Sequence, residues 1–170
     1  LERIKTGVSK DKVEEIRKTQ DKEKANELKK NLPSICFSGK FTERKDECLI
    51  EHSGYIVLDF DSVENVQWSK EQIFKKEYIK AAWISPSGKG VKALVKIADG
   101  DKHKEHFQAL QDEFQNLDKS GINVSRVCYE SYDSEILIRE NEGTFKKIKT
   151  IQIEKGSETV DKDETFERIL

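Results

Sequence analysis

The chain has 170 residues, with 31 Lys and Arg set against 33 Asp and Glu for a net charge of −2. That length suits one domain with arms, and no apolar run approaches the roughly 20 residues a membrane-spanning helix needs. Apolar runs such as Tyr55-Ile56-Val57-Leu58 exclude a disordered chain. The near-neutral balance argues against indiscriminate nucleic-acid binding, and 35% hydrophobic content against 38% charged implies a thin core.

In chain order, residues 9–30 read as one helix. Ser9 is its candidate cap, and Val13, Ile16, Ala25 and Leu28 form a narrow apolar stripe on an otherwise solvated face. Leu32-Pro33 stops it, because proline disfavours helix at the residue before it. Residues 34–54 are loop-rich, punctuated by Ser38-Gly39 and Ser53-Gly54. A strand follows over 55–61. A helix is expected over 69–80 with Ile73, Phe74 and Tyr78 inward, and a second strand over 81–85. The tight turn 86–90 joins that strand to a third over 91–97, making a hairpin. Phe107, Leu110 and Phe114 recur at helical spacing within a helix over 101–116. Residues 126–138 and 145–153 offer further short strands. From Glu154 the sequence is acidic, with six acids against three bases.

A hairpin implies antiparallel pairing, and amphipathic helices need a sheet face to cover. The fold class is therefore α+β, an antiparallel sheet packed with helices. The domain reading is a helical segment over 1–33, an α+β domain over 34–153, and an acidic tail or linker over 154–170. Starting at Leu1 and lacking Met throughout, the sequence reads as a piece of a longer protein.

Three cysteines, Cys36, Cys48 and Cys128, make a poor disulfide framework. With no secretory leader in view, a cytoplasmic setting is expected. Cys36, Cys48 and His52 are zinc-type ligands, but no paired C-x-x-C anchors them, and apolar neighbours favour buried free thiols.

Three clusters carry possible chemistry. In Leu58-Asp59-Phe60-Asp61, residues two apart on a strand share a face, about 6.5 Å apart. Two carboxylates so placed can converge on Mg2+ or Mn2+, the hard cations that hold substrate phosphates. The plainer reading is a strand end running into an Asp-Ser turn. In Ser85-Pro86-Ser87-Gly88-Lys89-Gly90-Val91-Lys92, Gly88 and Gly90 permit a tight turn whose amides can cradle an anion. Ser85 and Ser87 add hydroxyls, and Lys89 and Lys92 add charge. The P-loop spacing is absent, and an ordinary glycine hairpin blunted by lysines is the alternative. Between Ser69 and Ala98, seven lysines face two acids, an excess that favours a phosphate or nucleic-acid surface. The third cluster places Asp118 after a helix and Arg126 at the head of an apolar run, where each alone reads as a turn residue or a solvated charge.

Taken in order, these clusters resemble the catalytic domain of the archaeo-eukaryotic primase superfamily, in its primase-polymerase branch. That pattern is an apolar strand ending in Asp-x-Asp, a Ser-x-Gly-x-Gly-x-His hairpin, and an apolar-Asp pair followed by an Arg-bearing strand. The matching segments are Val57–Asp61, Ser85–Lys92, and Leu117-Asp118 with Ser125-Arg126. Leu32-Pro33-Ser34 and Phe37–Phe41 also look like the VirE N-terminal branch.

The resemblance implies an RRM-like α+β core, with Asp59, Asp61 and Asp118 as catalytic and metal-binding acids. It implies nucleotide binding by Ser85, Ser87, Gly88, Lys89, Gly90, Lys92 and Arg126. The implied activity is metal-dependent nucleotidyl transfer to a 3′-hydroxyl in replication of mobile elements. The implied partners are a nucleoside triphosphate, single-stranded or primed nucleic acid, and a fused or associated helicase-like ATPase. Lys92 stands where the pattern has His. A permanent ammonium preserves phosphate attraction but not a titrating step, so a binding module without turnover is the alternative.

Overall fold

A computed structural model describes residues 1–114 and 116–150. The expected strand over 145–153 lies partly outside these residues, and the acidic tail lies wholly outside them.

The N-terminal segment is three helices, not one: α1 (Glu2–Thr6), α2 (Lys10–Lys18) and α3 (Lys22–Lys30). The long helix expected over 9–30 breaks at Thr19, whose backbone is extended, and restarts at Asp21. The Asp21 carboxylate accepts from the backbone N–H groups of Glu23 and Lys24, a strong cap that favours a new start over continuation. Ser9 stands at the head of α2, yet its hydroxyl donates to Glu130 instead of capping. The apolar stripe is real but folds on itself: Val13, Ile16 and Leu32 are buried, with Ala25, Leu28, Tyr129 and Tyr132 packed around them.

The stretch 34–54 contains more strand than its composition suggests. β1 (Ser34–Ile35) pairs antiparallel with β7 (Cys128–Tyr129), and β2 (Gly39–Phe41) pairs antiparallel with β3 (Leu49–His52). The main sheet has four antiparallel strands in the order β4 (Tyr55–Phe60), β6 (Val91–Lys96), β5 (Ile79–Ile84), β8 (Leu137–Ile138). β6 lies between the other long strands, so five of its six residues are buried.

The two-residue strand period decides what faces what. Ile56, Leu58 and Phe60 point to one side with Val91, Ala93 and Val95. There they meet Ile73 of α4 (Val66–Phe74) and Phe107 and Leu110 of α5 (His103–Glu113). Val57 and Leu94 take the opposite side with Ala81, Trp83, Cys128, Ile136 and Ile4 of α1. Asp59 and Lys92 are directly paired across the sheet and share this second side. The α+β architecture is thus an antiparallel sheet with helices on it. Among the described residues no helix is long and apolar enough to cross a membrane.

The expected helix over 69–80 starts and stops early, at Val66 and Phe74. Asn65 starts it by accepting from the Trp68 N–H at 2.9 Å. Arg139 stops it: its guanidinium donates to the carbonyls of Phe74, Lys76, Glu77 and Ile79 at 2.7–3.0 Å and lies over the Phe74 ring. The Phe74 carbonyl is one that the helix end leaves without an intrahelical partner, and the other three lie on the segment that leads from α4 into β5. Strand β5 then begins at Ile79, two residues before the expected start.

Candidate functional site

Asp59 is the next-to-last residue of β4, partly buried between Leu58 and Phe60, and its place is fixed by ladder register opposite Lys92. The Lys92 ammonium forms an ion pair with the Asp59 carboxylate, with side chains 6% and 17% exposed. The other carboxylate oxygen, Oδ1, is buried and has no hydrogen-bond partner among the described residues. Asp118 reaches the same place from a distant part of the chain. Its backbone N–H donates to the Asp59 carbonyl at 2.9 Å, and Leu117 bridges Phe60.

The Asp118 carboxylate accepts from the Ser120 N–H and hydroxyl, and from Arg126 at 3.4 Å. Partial burial works to raise its pKa, but these donors carry it below the usual carboxylate range. Asp61 stands just past the strand end. Desolvation, then the neighbouring Asp59 and Asp118 charges, hold its carboxyl above the usual range, with Lys92 and Lys29 opposing. The three acids expected from the sequence therefore feel one another, with Lys92 among them.

The hairpin turn is built from its own serines. The Ser85 hydroxyl lies 3.0 Å from that of Ser87 and accepts from the Gly90 N–H, while Ser87 accepts from the Lys89 N–H. Ser85 is buried and shapes the turn, whereas Ser87 and Lys89 are exposed. Gly88 has a φ of 74°, which glycine adopts without strain. A Cβ at Gly90 would lie 2.5 Å from the Phe60 carbonyl, so the turn closes directly onto the strand carrying Asp59. Gly90→Ala should lower stability by about 1–3 kcal/mol through this overpacking. A urea midpoint unchanged from wild type would show that the turn yields freely.

Most of the lysine excess expected between Ser69 and Ala98 is neutralised. Lys70 pairs with Asp133, Lys76 with Glu113, Lys80 and Lys96 with Glu142, and Lys92 with Asp59. Lys75 and Lys89 lack a carboxylate partner among the described residues. Cations without ion-pair partners among the described residues gather instead where the N-terminal helices meet the hairpin turn. A cleft of about 560 Å³ opens between α2, α3 and the hairpin turn, and its lining includes Arg17, Lys22, Lys29, Asp61, Ser87 and Lys89. No spacing or motif marks Arg17, Lys22 and Lys29; their helix reads as a solvated surface until the fold lays it beside the turn.

Cys36, Cys48 and Cys128 are free thiols. Cys128 is buried, which raises its pKa to about 11, and Cys36 and Cys48 are partly exposed. His52 faces His103 at 3.0 Å, not the cysteines. Among the described residues no three His, Cys, Asp or Glu side chains are arranged to hold a metal ion.

The fold and site define an α+β domain with an acid–lysine pair across two neighbouring strands, β4 and β6, of its antiparallel sheet. The chain belongs to the BT4734-like, N-terminal domain family, whose model matches residues 27–137. That match corrects the expected membership of the primase-polymerase superfamily and its VirE N-terminal branch. The segments that carried the resemblance are an acid pair at a strand end and a serine-glycine turn, short patterns that many hairpins share. No curated protein and no solved structure matches the chain.

Proposed function

We propose that this domain binds a nucleoside triphosphate with a divalent cation and transfers its nucleotidyl group to the 3′-hydroxyl of a single-stranded or primed nucleic acid. The observation that supports the reading is the Asp59–Lys92 pair, with Asp118 hydrogen-bonded through its backbone to Asp59 and Asp61 two residues on, beside the serine-glycine turn; from this arrangement the three carboxylates would have to reorient to share an ion.

The donor set suits Mg2+ or Mn2+ in chemistry, since all three are carboxylates. The Oδ1 of Asp59 is buried and has no hydrogen-bond partner among the described residues, so it is the acceptor that a cation would partner. Bound there, a cation would lower the pKa of the attacking hydroxyl and neutralise the leaving pyrophosphate. Lys92 offsets charge on Asp59 and faces the phosphates. Ser87 and Lys89 hold the distal phosphates, Ser85, Gly88 and Gly90 shape the turn, and Arg126 orients Asp118. In the transfer, the 3′-oxygen bonds to the α-phosphorus as the bond from that phosphorus to the pyrophosphate oxygen breaks. The hydroxyl proton passes to Asp61, which has no hydrogen-bond partner among the described residues.

A second reading, a nucleotide-binding module without turnover, is favoured by the Lys92–Asp59 pair, which already engages one of the acids with an internal cation. Primer extension with magnesium or manganese separates the two. Asp61→Asn removes an exposed carboxylate and should leave folding intact while reducing extension roughly a hundredfold or more. Nucleotide binding without extension by wild type would select the second reading, and neither binding nor extension would end both.

A further inference from the structure

We infer that the N-terminal helices α2 and α3 are a working part of the nucleotide site, with Arg17, Lys22 and Lys29 gripping the phosphate chain of a nucleoside triphosphate from the side opposite Ser87 and Lys89. The inference deepens the nucleotide reading above and rests on it.

The cleft brings together four cations, Arg17, Lys22, Lys29 and Lys89, and one lining acid, Asp61. None of the four has a carboxylate ion-pair partner among the described residues, although many other lysines of the chain do. Walls of one sign concentrate field within a cleft and draw in counter-ions, so like charges held together without partners amount to an anion site. Its volume of about 560 Å³ lies within the span usual for small-ligand pockets, roughly 300–1,000 Å³. The multiple charges match a polyphosphate better than a single carboxylate.

Arg17 fixes the helices to the turn. Its guanidinium donates to the carbonyls of Ser85 at 3.1 Å and Tyr132 at 2.8 Å, and its side chain lies 3.2 Å from where a Gly88 Cβ would sit. The Nε of Arg17 is buried and has no hydrogen-bond partner among the described residues, leaving a donor unspent at the cleft wall. Lys29 extends over the Tyr129 ring at 5.8 Å, and its charge reaches Asp61. One wall is thus tied to the hairpin by the Arg17 hydrogen bond to the Ser85 carbonyl, and the other is the hairpin itself.

The test measures binding of a base-labelled ATP to the full chain by fluorescence anisotropy, with inorganic tripolyphosphate as competitor. Lys22→Glu/Lys29→Glu should weaken binding roughly tenfold or more, and tripolyphosphate should displace the label. Lys24→Glu/Lys30→Glu makes the same charge change on α3 outside the cleft lining and should have little effect. Equal weakening by both double variants would overturn the inference, because net charge alone would then account for it. Weakening by Ser87→Ala/Lys89→Ala but not by Lys22→Glu/Lys29→Glu would also overturn it, while leaving the hairpin reading intact. No ATP binding by wild type would remove both, as would Lys22- and Lys29-dependent binding of a labelled single strand without ATP binding.

Discussion

Lys70→Met should destabilise the domain by about 3–5 kcal/mol, the usual consequence of leaving a buried ion without its partner. Lys70 is fully buried and Asp133 is 5% exposed. The ammonium donates to the Asp133 carboxylate and the Glu135 carbonyl, both at 2.9 Å. The same carboxylate accepts from the backbone N–H groups of Ile84 and Glu135 at 3.0 Å. One side chain from α4 thereby holds the end of β5 and the loop leading to β8. Methionine fills much of the lysine stem's volume, so the loss reports the orphaned carboxylate and not a cavity. Lys70→Met/Asp133→Asn should recover part of it, since asparagine keeps an acceptor for Ile84 without a buried charge. Urea unfolding reads both variants. A single-variant loss below about 1 kcal/mol would mean that water reaches Asp133. Domains of this kind hold only about 5–15 kcal/mol in total, so Lys70 bears on whether the chain folds at all.

Acid should destabilise the fold well before its carboxylates titrate. His52 accepts from the Gly54 N–H through Nδ1, so its proton lies on Nε2, 3.0 Å from Nδ1 of His103. His103 then carries its proton on Nε2 and donates to the Gly121 carbonyl at 3.2 Å. Both rings are neutral in this chain of hydrogen bonds. Burial lowers the His103 pKa from 6.5 to about 4, and burial also lowers that of His52. A histidine with a depressed folded-state pKa stabilises the fold fully above its unfolded value. That contribution fades as pH falls from about 6.5 towards 4, where the unfolded chain takes up protons first. A shift of this size corresponds to roughly 3 kcal/mol for His103 alone. His103→Gln should therefore flatten the dependence of stability on pH between 6.5 and 4.5. An equally steep slope in the variant would assign the acid sensitivity to other groups. Gly121 lies in the turn that Asp118 opens and that a Cβ would drive into the Phe107 ring, so the same acid step loosens the support of Asp118.

Much of the central sheet was legible because its signals are local. The run Tyr55–Phe60, the turn 86–90 and the run Val91–Lys96 carry their own turn chemistry and β-branched residues, and they fold where expected. Helix ends were less legible, because distant residues set them: Arg139 closes α4 from 65 residues away. The break between α2 and α3 had a local signal in Asp21, but the polar surroundings masked it. The hairpin register sets Lys92 opposite Trp83, whereas the pairing of Asp59 with Lys92 depends on β4 docking against β6 across the intervening α4 and β5. Nothing local brings Asp118 to Asp59, since that depends on α5 packing over the sheet and returning the chain to the β4 edge.

The amino-acid order by itself determined the α+β class, the antiparallel hairpin and the carboxylates and lysines available for chemistry, because strand period and turn residues act over a few positions. Which lysines are spent and which are free was decided only by tertiary structure. Lys70 and Lys89 look alike along the chain, yet one is sealed against Asp133 and the other lines a cleft with Arg17, Lys22 and Lys29. A charge takes its role from the partners and the solvent around it, and those are assembled from segments far apart in sequence.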